Sequence, residues 1–172
     1  MIKYNLSSKI FSLLNVVFVY LFLCIQSYAD DTNSKNELIV LGENSAPVKI
    51  KIFSSFTCPH CASFHFDVIP EVKKNYIDSG DVQLIFIDFP LDQAAFNASK
   101  LLHCVEKNKQ IIFIDTIYKN QSKWTAGSTL EEINKNLKKI VENLGITHAE
   151  FNKCLMDEAI SDKILNGRII AS

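Results

Sequence analysis

Two cysteines separated by two residues, in the segment Cys58-Pro59-His60-Cys61, carry the clearest chemical potential of the sequence. Pro59 suits the first turn of a helix, which predicts that Cys58 lies at a helix N-terminus. Backbone N–H groups and the positive end of the helix dipole favour the thiolate there. Cys61 follows one turn deeper. We expect Cys58 to be the exposed, more acidic nucleophile of thiol–disulfide exchange and Cys61 the resolving cysteine.

His60 lies between the two cysteines. Its N–H and partial positive charge are expected to stabilise the Cys58 thiolate further. A stabilised thiolate favours the reduced form and makes the disulfide a stronger oxidant. The Pro59-His60 pair therefore predicts an oxidase or isomerase rather than a reductase.

Two alternatives apply to the same motif. A zinc site could include His65, four residues after Cys61, or His103, which adjoins Cys104. Zinc sites usually have a second paired motif, so we expect no metal and no cofactor. A purely structural Cys58–Cys61 disulfide is also disfavoured, because so small a ring restricts the unfolded chain little.

The N-terminal segment, residues 1–29, resembles a secretory signal peptide. Lys3 and Lys9 precede an apolar run over 10–25, and Ser27-Tyr28-Ala29 supplies small residues before a cleavage point. An uncleaved membrane anchor is the less favoured alternative, and a lipoprotein based on Cys24 is weaker still. We expect a periplasmic protein. After cleavage, the mature chain would begin with a flexible polar lead-in over 30–37.

Cleavage would leave four of the five cysteines: Cys58, Cys61, Cys104 and Cys154. An even number in an exported chain is typical of disulfides. Cys104 and Cys154 each lie in an apolar stretch with helical spacing. We expect them to form a second, non-catalytic disulfide, with Cα atoms within about 7 Å.

Length and charge narrow the function classes. The 172 residues suffice for one domain with a real core, and the formal net charge of −1 comes from interleaved acids and bases. We therefore expect no nucleic-acid partner.

Apolar spacing predicts how the motif is positioned. Residues 38–41 read as a short edge strand, and strands from Val48 and over 82–87 flank a helix that begins at Pro59 and is kinked or split at Pro70. This order predicts a parallel pair with a right-handed crossover. Beyond 92 the spacing predicts helices, including 111–118 despite its β-rich composition. Thr147 is predicted to cap a later helix, and His148 and Trp124 are expected to be capping or core residues.

The sequence resembles the DsbA-like thiol–disulfide oxidoreductases, which have a thioredoxin fold with an inserted helical domain. The matching stretches include Ser54-Ser55-Phe56-Thr57-Cys58-Pro59-His60-Cys61-Ala62-Ser63-Phe64-His65, Asp88-Phe89-Pro90-Leu91-Asp92, the 121–124 segment, and 144–146 with 151–155. The resemblance implies an α/β fold with a thioredoxin-like βαβ core. Its N-terminal part would span 38–91 and its helical insert domain 92–172.

Three departures from the family pattern are evident. Ile52 stands where a buried Glu is frequent, and Ile87 where Arg is common. The family's strand with a cis proline opposite the redox pair, and the strand and helix that follow it, have no counterpart before Ser172. We therefore expect a C-terminally truncated catalytic domain with an exposed apolar sheet edge, low stability and weak oxidase activity that a family-type extension would raise.

The resemblance implies that the pair introduces or exchanges disulfides in reduced or misoxidised secreted proteins. A membrane oxidase or reductase would recycle it. The alternative is a truncated or degenerate product with little catalysis that acts at most as a binding module.

Overall fold

The computed structural model describes residues 38–171. Three strands form one sheet within this range: β1 (Ile39–Leu41), β2 (Val48–Ser54) and β3 (Val82–Asp88). The predicted signal peptide (1–29) and lead-in (30–37) lie outside the described residues. Among the residues that are described, no helix is long and apolar enough to cross a membrane.

β3 lies at the centre of the sheet, between β1 and β2. It pairs antiparallel with β1 and parallel with β2, in a register that runs from Val48 opposite Val82 to Ser54 opposite Asp88. The predicted strand, helix, strand order with a parallel pair is therefore confirmed. Gly42 makes the turn after β1 with φ of +108°, and a Cβ there would lie 2.7 Å from the Val82 carbonyl oxygen.

The segment between β2 and β3 begins with α1 (Pro59–Asp67), which starts on a proline as predicted. A second helix, α2 (Ile69–Val72), continues into a π-helical turn over Lys73–Ile77. Pro70 lies in the first turn of α2, where its missing N–H breaks no helical hydrogen bond. The predicted division of the helix near Pro70 is confirmed.

Helices make up the rest of the chain after β3. Their bounds are α3 (Gln93–Leu102), a 3₁₀ turn (Lys107–Lys109), α4 (Gln110–Lys119), α5 (Gln121–Trp124), α6 (Leu130–Glu142), α7 (His148–Met156) and α8 (Glu158–Ile170). The helical prediction for 111–118 is confirmed by α4. Thr147 caps α7 through a reciprocal pair of hydrogen bonds with Glu150, also as predicted.

The helices enclose a dense core. Its fully buried side chains include Leu101, Phe113, Ile117, Trp124, Leu137 and Val141. The sheet is less evenly covered, because β3 is buried whereas Val48 and Ile50 of β2 are 49% and 41% exposed. The sequence predicts an exposed apolar edge on the parallel strands. Within the described residues, β2 has such an edge, whereas β3 is buried.

The last helix returns to the end of β3. Gly167 of α8 lies against the strand, where a Cβ would come within 2.9 Å of the Asp88 carbonyl oxygen. The Arg168 guanidinium lies 5.6 Å from the centre of the Phe89 ring. These contacts connect α8 to the segment that follows β3.

Candidate active site

The Cys58 motif begins four residues after the end of β2. The Cys58 amide donates to the Ser55 carbonyl oxygen at 3.1 Å, which closes a turn, and the Cys58 carbonyl oxygen accepts from the Ala62 amide at 3.2 Å. Cys58 thus occupies the N-cap position of α1, with extended backbone angles of −78° and 116°. The sequence predicts this placement.

Both cysteines of the motif are half-buried thiols, so Cys58 is less exposed than the sequence predicts. Burial by itself would raise the pKa of Cys58, but hydrogen bonds from the Cys61 side chain and from the backbone of Cys61 and His60 outweigh it and lower the pKa. Burial raises the pKa of Cys61, opposed by a backbone hydrogen bond at Ser55 and reinforced by Cys58. The two shifts run in the order that the sequence predicts.

Pro59 and His60 are both exposed. His60 contributes to the lowered Cys58 pKa through its backbone. The sequence analysis attributes the lowering of the Cys58 pKa to the His60 imidazole. The structure shows a contribution from the His60 backbone, which belongs to the N-terminus of α1.

Aromatic side chains lie beneath the turn. The buried Phe56 ring contacts Tyr118 and Phe113 of α4, with ring centres 5.1 Å and 6.1 Å away. Burial raises the pKa of Tyr118, a hydrogen bond with Ser54 opposes this, and nearby charges, including the two cysteines of the motif, raise it further. The Tyr118 hydroxyl therefore stays protonated, and it donates to the Ser55 carbonyl oxygen at 3.4 Å.

Two histidines beside the cysteines bond to carboxylates. His65 Nε2 lies 2.5 Å from Asp115 of α4, and His103 Nε2 lies 2.6 Å from Asp88 at the end of β3. Within the range 38–171, no group of three or more His, Cys, Asp or Glu side chains is placed to hold a metal ion. The His65–Asp115 pair joins α1 to α4, and the His103–Asp88 pair joins the end of α3 to the end of β3.

Cys104 and Cys154 form a disulfide in the structure, with Cα atoms 6.2 Å apart. Cys104 follows α3 and Cys154 lies in α7, so the bond joins two helices that are 50 residues apart in sequence. Trp124 is fully buried, as expected of a core residue, and its indole N–H donates to the Ile117 carbonyl oxygen at 3.0 Å. His148 is exposed in the first turn of α7.

Sequence patterns did not assign a role to three side chains around the motif. Tyr118 and Gln121 contact the turn, and Asp115 contacts His65 of α1, each from a distant point of the chain. The available signal was the 121–124 segment, which begins at Gln121 and is among the stretches that resemble the family. Spacing along one chain cannot show which polar side chains of a helix face a turn more than 60 residues away.

Residues 34–168 match the family model described as Thioredoxin. This covers well over half of the chain. The chain belongs to the thioredoxin family. A solved structure that is similar is alpha-DsbA1 of Wolbachia pipientis, with 32% identity and a TM-score of 0.69, over 79% of this chain and 68% of that one. The predicted DsbA-like resemblance and thioredoxin-like fold are confirmed.

Curated relatives carry related names. A protein-disulfide oxidoreductase of Rickettsia bellii is 32% identical over 76% of this chain and 49% of its own length. A disulfide bond formation protein D of Bacillus cereus is 36% identical over 72% of this chain and 59% of its own length. The chain thus spans about half of the curated relatives it matches. A protein-disulfide isomerase from Novosphingobium aromaticivorans shares the fold, with a TM-score of 0.71, 19% identity and coverage of 78% of this chain and 79% of that one.

Proposed function

We propose that the chain is a thiol–disulfide oxidoreductase that acts on exported proteins through Cys58 and Cys61. The observation that carries the proposal is the placement of Cys58 at the N-cap of α1 with Cys61 three residues further along the same helix, and the opposite directions of their pKa shifts agree with it. A lowered pKa gives a thiol a larger thiolate fraction and makes it a better leaving group, whereas a raised pKa favours the protonated form of the partner thiol.

The reaction balances without a cofactor. A substrate thiolate attacks Cys58 of the Cys58–Cys61 disulfide, and Cys61 leaves as a thiolate that takes up a proton. A second substrate thiolate then attacks the substrate sulfur of this mixed disulfide and releases the Cys58 thiolate. Two substrate thiols become one disulfide, and the pair gains two electrons. The lowered pKa of Cys58 favours this direction, because it stabilises the reduced product.

The cellular setting extends the proposal. The signal-like segment 1–29 and the second cysteine pair, Cys104 and Cys154, support export to the periplasm. Reduced or misoxidised secreted proteins would be the substrates, and a membrane oxidase would restore the disulfide. The names of the relatives agree with this chemistry.

Transfer of a disulfide to a reduced protein tests the proposal. The purified chain is oxidised, freed of oxidant and mixed with a reduced, unfolded ribonuclease, and the loss of substrate thiols is followed. We expect about one substrate disulfide per protein molecule, because the Cys58–Cys61 disulfide accepts two electrons. Cys58→Ser and Cys61→Ser should each abolish this transfer.

Ser63→Ala provides the matched control, because Ser63 is exposed on the same helix and takes no part in the proposed exchange. It should transfer as the unmodified chain does. If the oxidised, folded chain leaves the ribonuclease thiols intact, or if Cys58→Ser transfers as well as Ser63→Ala, the proposed function is wrong.

A further inference from the structure

The side-chain amide of Gln121, at the start of α5, contacts the backbone of the Cys58 turn. Its Nε2 donates to the Phe56 carbonyl oxygen at 2.8 Å and to the Cys58 carbonyl oxygen at 3.1 Å. Carbonyl oxygens only accept hydrogen bonds, so the amide nitrogen and not the amide oxygen must face them. Both N–H bonds of one amide are therefore used on two carbonyls of the same turn.

Gln121 is itself firmly placed. It is the first residue of α5, and its carbonyl oxygen accepts from the amide of Thr125 at 3.0 Å and from its hydroxyl at 2.7 Å. Three residues on, Trp124 is fully buried and bonded to the Ile117 carbonyl oxygen. The donor thus projects from an anchored turn, which lowers the entropy lost in making its two hydrogen bonds.

The contacted carbonyls bear directly on the Cys58 thiol. Cys58 is the N-cap of α1, and its carbonyl oxygen already accepts the first helical hydrogen bond from Ala62. A second donor on that oxygen offsets the negative end of the carbonyl dipole within the residue that carries the sulfur. Fixing the Phe56 and Cys58 carbonyls also holds the intervening backbone, and with it the sulfur, above the amides of His60 and Cys61.

We propose that Gln121 is a positioning residue that sets the reactivity of Cys58 by holding the Phe56 and Cys58 carbonyl groups. This inference deepens the proposed function and rests on it. The hydrogen bonds of the Gln121 amide are to backbone carbonyl oxygens and not to the sulfur. Its effect reaches the thiol through the backbone of the turn, and it makes the helical part of the chain a determinant of the redox properties of α1.

Gln121→Met tests the inference, because methionine has a similar size and no donor. Gln110→Met is the matched control, since Gln110 is likewise half-buried and the first residue of its helix, α4, but contacts the pocket lined by β1 and the 3₁₀ turn. The pKa of Cys58 is measured from the pH dependence of its alkylation, and the redox equilibrium is measured with glutathione. Thermal unfolding of both variants is recorded in parallel.

We expect Gln121→Met to raise the pKa of Cys58 by roughly 0.3 to 1 unit, the equivalent of one hydrogen bond. The equilibrium constant for reduction by glutathione should fall by roughly two- to tenfold, because the reduced form loses stabilisation. Gln110→Met should leave both quantities unchanged. A purely structural role would lower the unfolding temperature of Gln121→Met and leave the pKa and the equilibrium constant where they are, which would overturn the inference.

Two further measurements test the inference if Gln121→Met folds poorly. In the unmodified reduced chain, the side-chain amide resonances of Gln121 should titrate with the same midpoint as Cys58, whereas those of Gln110 should not. Gln121→Glu, which replaces the donor by an ionised acceptor, should raise the pKa of Cys58 more than methionine does. Amide resonances of Gln121 that stay constant through the Cys58 titration contradict the inference. Failure of the unmodified chain to exchange disulfides would instead contradict the proposed function.

Discussion

The helical part of the chain, residues 92–171, buries isoleucine side chains that the edge of the sheet leaves exposed. Ile117 of α4 is fully buried, whereas Ile50 of β2 is 41% exposed. The Cys104–Cys154 disulfide joins the end of α3 to α7 and so lies within the helical part. The comparison indicates that the packed, cross-linked core lies in the helical part, whereas β2 leaves apolar side chains exposed.

The largest contrast is expected between Ile117→Ala and Ile50→Ala. Removing the buried side chain should lower the free energy of unfolding by about 2–5 kcal/mol, because it leaves a cavity among packed neighbours. Removing the exposed one should lower it by about 1 kcal/mol or less. Urea unfolding followed by circular dichroism measures both. Equal losses would mean that β2 is covered in solution and that the comparison fails.

Removal of the second disulfide is expected to have the next largest effect. Cys104→Ala with Cys154→Ala should lower the free energy of unfolding by about 2–4 kcal/mol, since the bond closes a loop of 50 residues. The pKa order of Cys58 and Cys61 should persist in the variant under conditions where it is folded. A variant as stable as the unmodified chain would show that the helices need no cross-link.

The His65–Asp115 contact joins α1, which carries the cysteine pair, to α4 of the helical part, and its expected contribution is smaller. The His65 side chain is 7% exposed and that of Asp115 is 53% exposed, so solvent weakens the pair. A double-mutant cycle with His65→Ala and Asp115→Ala should give a coupling free energy of about 0.5–1 kcal/mol. A coupling of zero would mean that packing alone joins α1 to α4.

The smallest expected effect is at the cap of α7. Thr147→Ala should lower the free energy of unfolding by about 0.5 kcal/mol, the low end for an N-cap, because Thr147 and Glu150 are both exposed. Hydrogen bonds from Thr147 lower the pKa of Glu150 in the folded chain, so its contribution is present above its ordinary pKa and is lost as the pH falls through the folded value. The difference in unfolding temperature between Glu150→Gln and the unmodified chain should therefore vanish in acid. A constant difference would contradict this assignment.

Local patterns were sufficient for much of the fold. A few neighbouring residues determine each of three features: the split at Pro70, the cap at Thr147 and the alternation of β2. The corresponding elements form as predicted. Burial of β2 could not be predicted in the same way. Alternation shows which side chains share a face, but whether another element covers that face depends on residues distant in sequence.

In the candidate site, too, some features follow from local sequence and others depend on packing between distant elements. The order of the Cys58 and Cys61 pKa shifts follows from their places at the start of one helix, which the spacing and Pro59 already indicate. The contacts of Gln121 and Tyr118 depend on how α4 and α5 pack against the turn. No local pattern encodes that packing, and it is there that the structure adds most to the sequence.

The most direct measurement of the central claim compares the two cysteines as nucleophiles. Reduced Cys61→Ser and Cys58→Ser variants, each retaining one cysteine of the motif, are mixed at pH 6 with a peptide that carries an activated disulfide, and the mixed disulfide is followed by mass spectrometry. We predict that Cys61→Ser, which retains Cys58, reacts about tenfold faster, because the start of α1 favours the thiolate of Cys58 over that of Cys61. Equal rates, or a faster Cys58→Ser variant, would contradict the account.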